Sequence, residues 1–479
     1  MQKKFITNLS ILLFLNLLIK PFWILGIDRA VQNTIGAEDY GTYFALFNFS
    51  LILNILLDLG ITNFNNRNIS QNHHLLEKHL SGIVMLKFIL AVFYLVIVLI
   101  AGWAIGYDLH HMGILLVLSF NQFLLSFILY LRSNIAGLQM FKTDSCFSVL
   151  DRVLMIGICG FLLLNKTTKA QFKLEWFIYA QTIAYLLTAL TIFLIVLYKA
   201  KFKRLRWNIP FFRVVLKNSF PYAVLVLLMA FYNRIDTIMI ERMLPNGAEQ
   251  SGIYAQAYRL LDSTNMIAYL FSVLLLPLFS RMLKANESVK QISMLSFKLL
   301  ITPAIIIAAG SFFYRYDLMK LLYREHIEDS AVVFGILMAC FMPICTTYVF
   351  GTLLTANGNL KELNMIAALS MVVNVTLNLF LIPHFFAAGS AISSLITQSL
   401  NAGLQLFLIK KVFGMKVNFR LIYTLLTFLV GVVAINYISM KLPFQWMLQF
   451  LIMGIISVLF AFAIRLISVK GMYRILKYG

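Results

Sequence analysis

Lys20, Arg234 and Arg259 are among the cations that stand inside apolar runs of this chain. An ionisable group within a membrane-length apolar segment costs about 2.5–3.5 kcal/mol to insert, so it usually faces a cavity or a partner. Lysine offers a point charge, and the guanidinium fork of arginine suits bidentate contact with phosphate. Their neighbours are also polar. Asn16 precedes Lys20 by one turn and Pro21 follows it; Asn233 and Asp236 flank Arg234; Asp262 stands at i+3 from Arg259. Asp58 closes another apolar run. The carboxylates of Asp58, Asp236 and Asp262 could carry a coupling ion, and Asn16 and Asn233 could line a cavity. For Arg234 with Asp236, and Arg259 with Asp262, internal neutralisation competes with cavity function, and the two readings stay open. Lys20 has no carboxylate within a helical turn, so it is assigned to ligand contact. Lys87 and Arg132 lie near the ends of their runs, where a long stem can carry the charge to the headgroups. Asn374 and Asn378, at i and i+4, are expected to hydrogen-bond neighbouring helices.

The elements that must position these groups are long and apolar. The chain has 479 residues, of which 61% are hydrophobic and only 12% charged, and its mean hydropathy is +0.85. That composition is solvated by lipid rather than water. Runs of spanning length fall at 5–27, 40–62, 80–104, 112–136, 145–165, 174–198, 217–241, 252–280, 291–313, 331–356, 362–382, 385–409, 419–440 and 444–467, which predicts an all-α polytopic protein of about 14 transmembrane helices. The N-terminal run is interrupted by Asn16 and Lys20 and has no small-residue cleavage site after it, so it is expected to stay as the first span.

The net charge of +21 is concentrated in "KAKFKRLRWNIPFFRVVLK", "SRMLKANESVK", "KKVFGMKVNFR" and the tail "RLISVKGMYRILK". The positive-inside rule then places both termini in the cytoplasm. The loop "NKTTKAQFK" is the mild exception. No basic run is interleaved with exposed aromatics, so nucleic acid is not an expected partner. Cys146, Cys159, Cys340 and Cys345 lack paired spacing, and neither a disulfide framework nor a metal site is expected.

A short phrase occurs twice. "GAEDYGTY" begins at Gly36 and "GAEQSGIY" at Gly247, with an Ile-Asp pair upstream of each. The copies are six predicted helices apart, an even number, so they share one orientation in the bilayer. That pattern predicts parallel repeats about an axis along the membrane normal. The lobes are then 1–198 (helices 1–6) and 217–411 (helices 7–12), joined by the basic linker 199–216. Residues 412–479 add helices 13 and 14 and a basic tail. Helices 1, 2, 7 and 8 are equivalent elements, expected to line the cleft between lobes and to bring Lys20, Arg234 and Arg259 to one cavity. The glycines suit loop-to-helix turns, and Tyr43 and Tyr254 suit interfacial anchoring.

The segments "IGAEDYGTYFALFNFSLILNILLDLG" and "NRIDTIMIERMLPNGAEQSGIYAQAYRLLD" resemble the polysaccharide flippases of the O-antigen, or Wzx, type, within the multidrug/oligosaccharidyl-lipid/polysaccharide exporter superfamily. The resemblance covers nearly the whole chain and is most specific at Arg234–Asp236 and Gly252–Tyr254. It implies a MATE-like fold. It also implies alternating access of two lobes, carrying an undecaprenyl-diphosphate-linked oligosaccharide across the bacterial inner membrane for surface-polysaccharide assembly. Lys20, Arg234 and Arg259 would then meet the diphosphate. A polymerase or chain-length regulator would be a possible partner, and no cofactor is implied.

The alternatives are a cation-coupled multidrug exporter, a lipid-linked peptidoglycan-precursor flippase and, from another class, a membrane polysaccharide polymerase. An organic-cation cavity should be dominated by acids, whereas bases at least match acids here. An enzyme is disfavoured because His73, His74, His79, His110, His111, His326 and His384 all fall in loops or at span ends, leaving no embedded general base. No nucleotide-binding loop is present.

Overall fold

The computed structural model describes residues 14–16, 18–62, 65, 69, 75–138, 140–200, 209–415 and 418–466, and among them there is no strand. A π-helical stretch, Trp23–Asp28, begins two residues after Pro21 and runs into α1 (Arg29–Ile35). Proline withholds a backbone donor, and a widened turn is one way the ladder absorbs the loss. The remaining helices are α2 (Ala37–Ile52, continued as the 3-10 turn Leu53–Leu57), α3 (Leu75–Ile105), α4 (Leu109–Gly137), α5 (Phe141–Leu164), α6 (Lys166–Ala170), α7 (Leu174–Ala200), α8 (Ile209–Met243), α9 (Gly247–Lys284), α10 (Lys290–Phe313), α11 (Arg315–Leu322), α12 (Ile327–Ala339), α13 (Phe341–Ala356), α14 (Leu360–Phe413), α15 (Phe419–Ser439) and α16 (Trp446–Ala463).

Among the described residues, twelve segments are long and apolar enough to cross a membrane. α14 supplies two crossings. Its 54 residues would reach about 80 Å if straight, against about 30 Å of hydrocarbon. The chain reverses instead at Phe386 (φ 53°, ψ −136°), just after Pro383. The two limbs then touch: Ser393 Oγ donates to the Asn374 carbonyl at 3.0 Å. Counting both limbs and the partly described first segment, the architecture agrees with about fourteen spans. Residues 1–13 (which include the start of the expected first span, 5–27), the centre of the basic linker (201–208) and the tail (467–479) lie outside the described residues.

The chain divides into two compact units. In the first (1–242 with 246–252), α4 packs against α2, α3, α5 and α7. The lipid side of α3 is an apolar stripe, with Val92, Val96, Ile100 and Trp103 all exposed. The interior side of α4 is polar, with Ser119, Gln122, Ser126 and Ser133 buried at helical spacing. This inversion is what lipid solvation permits, since buried polar groups hydrogen-bond between helices. Asn54 donates to Gln122 at 2.7 Å, and Asn65 to Ser133 at 2.9 Å.

The repeated phrase forms a helix crossing inside this unit. Each copy contains Ala-x-x-x-Gly: Ala37 to Gly41 in α2, Ala248 to Gly252 in the first turns of α9. A Cβ added to Gly41 would stand 1.8 Å from the Ala248 carbonyl oxygen, and one added to Gly252 would stand 1.9 Å from that of Ala37. Small residues spaced by four let backbones approach in this way. Ser251 Oγ donates to the Gly41 carbonyl at 3.2 Å, and Gln32 Nε2 to the Gly252 carbonyl at 3.1 Å. Gly36 alone in the pair of phrases serves as a turn at positive φ (87°). Tyr43 and Tyr254 are not interfacial anchors. Both are buried; Tyr43 accepts a hydrogen bond from Gln181 at 2.8 Å, and the Tyr254 hydroxyl is 3.5 Å from Ser394 Oγ.

In the second unit (243–245 with 253–479), α10 packs against α12, α13, α15 and α16. α15 and α16 close on each other and on α10 around Ile301, Ile305, Phe428, Val432 and Ala461. The Tyr314 and Ser439 hydroxyls, 2.7 Å apart, join this pair to the end of α10.

Candidate functional site

Lys20 is half-buried and makes no hydrogen bond or ion pair among the described residues. The charges it senses are those of Arg152, Asp151 and Arg132, so bases outnumber acids around it. Asn16, one turn earlier, donates to Ser148 Oγ on α5 at 2.9 Å and ties this segment to α5. Arg152, also on α5, lies 3.6 Å from Asp151, 5.7 Å from the Trp23 ring centroid and 3.4 Å from the Tyr185 hydroxyl. Its guanidinium is thus within cation–π reach of two aromatic rings (Tyr185 at 5.9 Å), a placement favoured by the ring quadrupole. Arg132 of α4 grips Asp144 of α5 with two N–H groups, at 2.8 and 3.3 Å. Asp144 is engaged by that fork, and the acid whose field reaches Lys20 is Asp151. The first unit therefore carries a cationic centre within its helices.

A second polar centre surrounds Lys87. This residue is 1% exposed and bonds to Asp58 at 2.5 Å, which corrects the expectation that its stem reaches the headgroups. Arg132, with its carboxylate partner, is corrected likewise. Apolar periodicity gives the depth of a residue along a helix but not which side faces protein. The partner of Lys87 is supplied by local backbone. α2 ends in a 3-10 turn, and Leu59 (φ 44°) and Gly60 (φ 82°) take left-handed conformations that leave Asp58 directed inward. Ser126, from the polar side of α4, is 3.0 Å from the ammonium.

Arg234 is half-buried on α8. It donates to Asn48 Oδ1 of α2 at 3.4 Å, and Asn48 in turn donates to Thr237 Oγ1 at 3.0 Å. Asn233 turns back to the Met229 carbonyl at 2.8 Å. Asp236 is buried. Asp28, the carboxylate upstream of the first phrase, is also buried and accepts a hydrogen bond from Tyr40 at 2.8 Å. Lys20, Asn16, Asp58, Asn233, Arg234 and Asp236 all belong to the first unit, whereas Arg259 and Asp262 are half-buried in α9 within the second.

At the α3–α4 turn, outside the spans, Asp108 caps α4. The His111 backbone N–H, then its ring, hold the Asp108 carboxyl below the usual carboxylate range. The neighbouring Tyr107 hydroxyl is pushed up by burial; it donates to Glu241 at 3.3 Å, and Arg242 covers its ring at 3.7 Å.

Residues 7–283, more than half of the chain, match the family described as polysaccharide biosynthesis protein. The chain belongs to that family. No curated protein matches it by sequence. Among solved structures, the polysaccharide biosynthesis chain is similar to the lipid II flippase MurJ in an inward closed conformation, at 14% identity and a TM-score of 0.73, covering 94% of this chain and 97% of that one. It is also similar to an inward-facing multidrug resistance MATE family transporter of the MOP superfamily (13% identity, TM-score 0.60, 82% and 96% covered). A third likeness is to a MOP superfamily transporter from Pyrococcus furiosus (12% identity, TM-score 0.55, 84% and 92% covered). At such identities the likeness is one of fold: a multi-pass membrane protein with the architecture of MOP-superfamily transporters.

Proposed function

We propose that this member of the polysaccharide biosynthesis family flips a lipid-linked oligosaccharide across the bacterial inner membrane, carrying the diphosphate of an undecaprenyl-diphosphate anchor past Lys20. The observation that carries this is the cationic centre. Lys20, with no hydrogen bond or ion pair among the described residues, stands in the field of Arg152, Asp151 and Arg132, the last of which is paired with Asp144. A half-buried cation without a partner is expensive, and an anionic ligand lowers that cost. The same centre repels an organic cation and so disfavours drug export. Arg234 and Arg259 are further candidates for the diphosphate, with Asp236 and Asp262 as candidates for coupled ion entry. The transport is non-enzymatic, by alternating access, with both termini cytoplasmic. A polymerase or chain-length regulator would receive the product.

A peptidoglycan precursor shares the diphosphate, and the neighbour solved as a lipid II flippase keeps that substrate in view. Family membership favours a surface-polysaccharide unit. Deleting the protein should cause lipid-linked repeat units to accumulate on the inner face of the membrane while peptidoglycan synthesis continues. Accumulation of peptidoglycan precursor instead would move the assignment to that substrate, and accumulation of neither would remove both.

A further inference from the structure

The Lys87 ammonium of α3 sits in a cage of hard oxygens drawn from two other elements, the end of α2 and α4. The Leu57 carbonyl is 3.0 Å away, the Asp58 carboxylate 2.5 Å and the Ser126 hydroxyl 3.0 Å. Each of its three protons has an acceptor. Asp58 is itself held by the Thr62 backbone N–H, 3.3 Å from both carboxylate oxygens, and by the Thr62 hydroxyl. One face is closed by the Tyr130 ring, its centroid 5.9 Å from Nζ. One carboxylate, one main-chain carbonyl and one hydroxyl, gathered at the end of a broken helix, are the donor set that takes a dehydrated monovalent cation.

We propose that this cage is a monovalent-cation site whose occupant is permanently tethered: the ammonium of Lys87 takes the place of an exchangeable sodium or potassium ion. An exchangeable ion could enter from one side and leave on the other. A tethered one cannot, so the cage carries no ion across and Asp58 is not a coupling carboxylate. Its role is to lock the end of α2 to α3 and α4 while other segments move. Water can complete the coordination of a free ion if the four-carbon stem is removed, because the stem leaves a volume next to the cage. This inference does not depend on the identity of the transported lipid.

The test is Lys87→Ala in detergent, melted in sodium, potassium or choline chloride at constant ionic strength. The melting temperature of Lys87→Ala should rise by about 3 °C or more when choline is replaced by sodium or potassium. The wild type should be indifferent, as should Lys87→Ala/Asp58→Asn, which lacks the carboxylate. Retention of radioactive sodium by Lys87→Ala, but not by wild type, should agree. A folded Lys87→Ala insensitive to the choice of cation overturns the proposal, since the pair is then only an ion pair. Failure of Lys87→Ala to fold in any salt overturns it too, because the oxygens then accept no free ion. A sodium response in wild type that is lost in Asp58→Asn overturns it from the other side, by making the cage exchangeable.

Discussion

Gly41 and Gly252 occupy the same place in two copies of one phrase, and each lies against the backbone of the other copy. The clearances of 1.8 and 1.9 Å for an added Cβ, to the carbonyl oxygens of Ala248 and Ala37, leave no room for a side chain. Both obstacles are main chain, so relief requires the helices to part. Gly41→Ala and Gly252→Ala should therefore each destabilise by about 1–3 kcal/mol or more, read as a lower melting temperature and less protein in the membrane. Gly113→Ala and Gly157→Ala meet nothing within 4 Å and should be neutral or slightly stabilising, as expected for alanine in a helix. Equal effects at all four positions would show that helix propensity, not the crossing, is being measured.

Much of the architecture is legible in the apolar runs, because a bilayer forces backbone polar groups into helices of fixed minimum length. The reversal of α14 at Phe386 falls at the second residue of the expected span 385–409, just past the gap that separates it from 362–382. Contacts between helices are less legible. Lys87 and Asp58 are far apart in sequence, and only the three-dimensional turn after Leu57 brings them together. A signal was available in α4, whose Ser119, Gln122, Ser126 and Ser133 recur on one side and so mark an interior polar stripe. For Arg152 the clue was weaker, since an Asp-Arg pair within an apolar run invites the assumption that each neutralises the other. The duplicated phrase, noticed as a marker, turned out to be a packing device.

Lys20 should be sensitive to charge rather than to volume. Loss of one charge-assisted contact to a diphosphate is worth about 1.5–3 kcal/mol, or roughly 10- to 100-fold in transport rate. Lys20→Gln should fall by that factor at normal protein level, and Lys20→Arg should keep most activity. Arg234→Ala and Arg259→Ala are expected to fall as well. Full transport by Lys20→Gln would refute the anion-contact role, and poor accumulation of the variants in the membrane would return these residues to structural duty.

Asp108 offers a pH test outside the membrane. Its folded pKa lies below the usual carboxylate range, so it contributes stability that is complete at the usual carboxylate pKa and above, and is lost as the pH falls through the folded pKa. The melting temperatures of wild type and Asp108→Ala should differ by a constant amount at neutral and mildly acidic pH. Below about pH 4 the gap should narrow, from loss of the ionised N-cap. A gap that widens on acidification would mean that the capping hydrogen bond does not need the carboxylate.

The driving force can be tested by sign. A bacterial membrane is negative inside, and each anionic charge moved outward through the full potential gains about 2.3 kcal/mol per 100 mV. A cationic site that travelled with the diphosphate would cancel part of that gain. Lys20 shares its unit with the Arg152 ring contacts and the Arg132–Asp144 fork, which favours a centre that keeps its depth during the cycle. Lys87, tethered in its cage, likewise exports no compensating charge. The potential alone should then assist outward movement. In proteoliposomes with an imposed potassium-diffusion potential and no sodium or proton gradient, flux should rise when the compartment equivalent to the cytoplasm is made negative, and fall when the sign is reversed. Flux indifferent to that sign would instead place the energy source in ion antiport, with Asp236 or Asp262 as the carboxylates to mutate next.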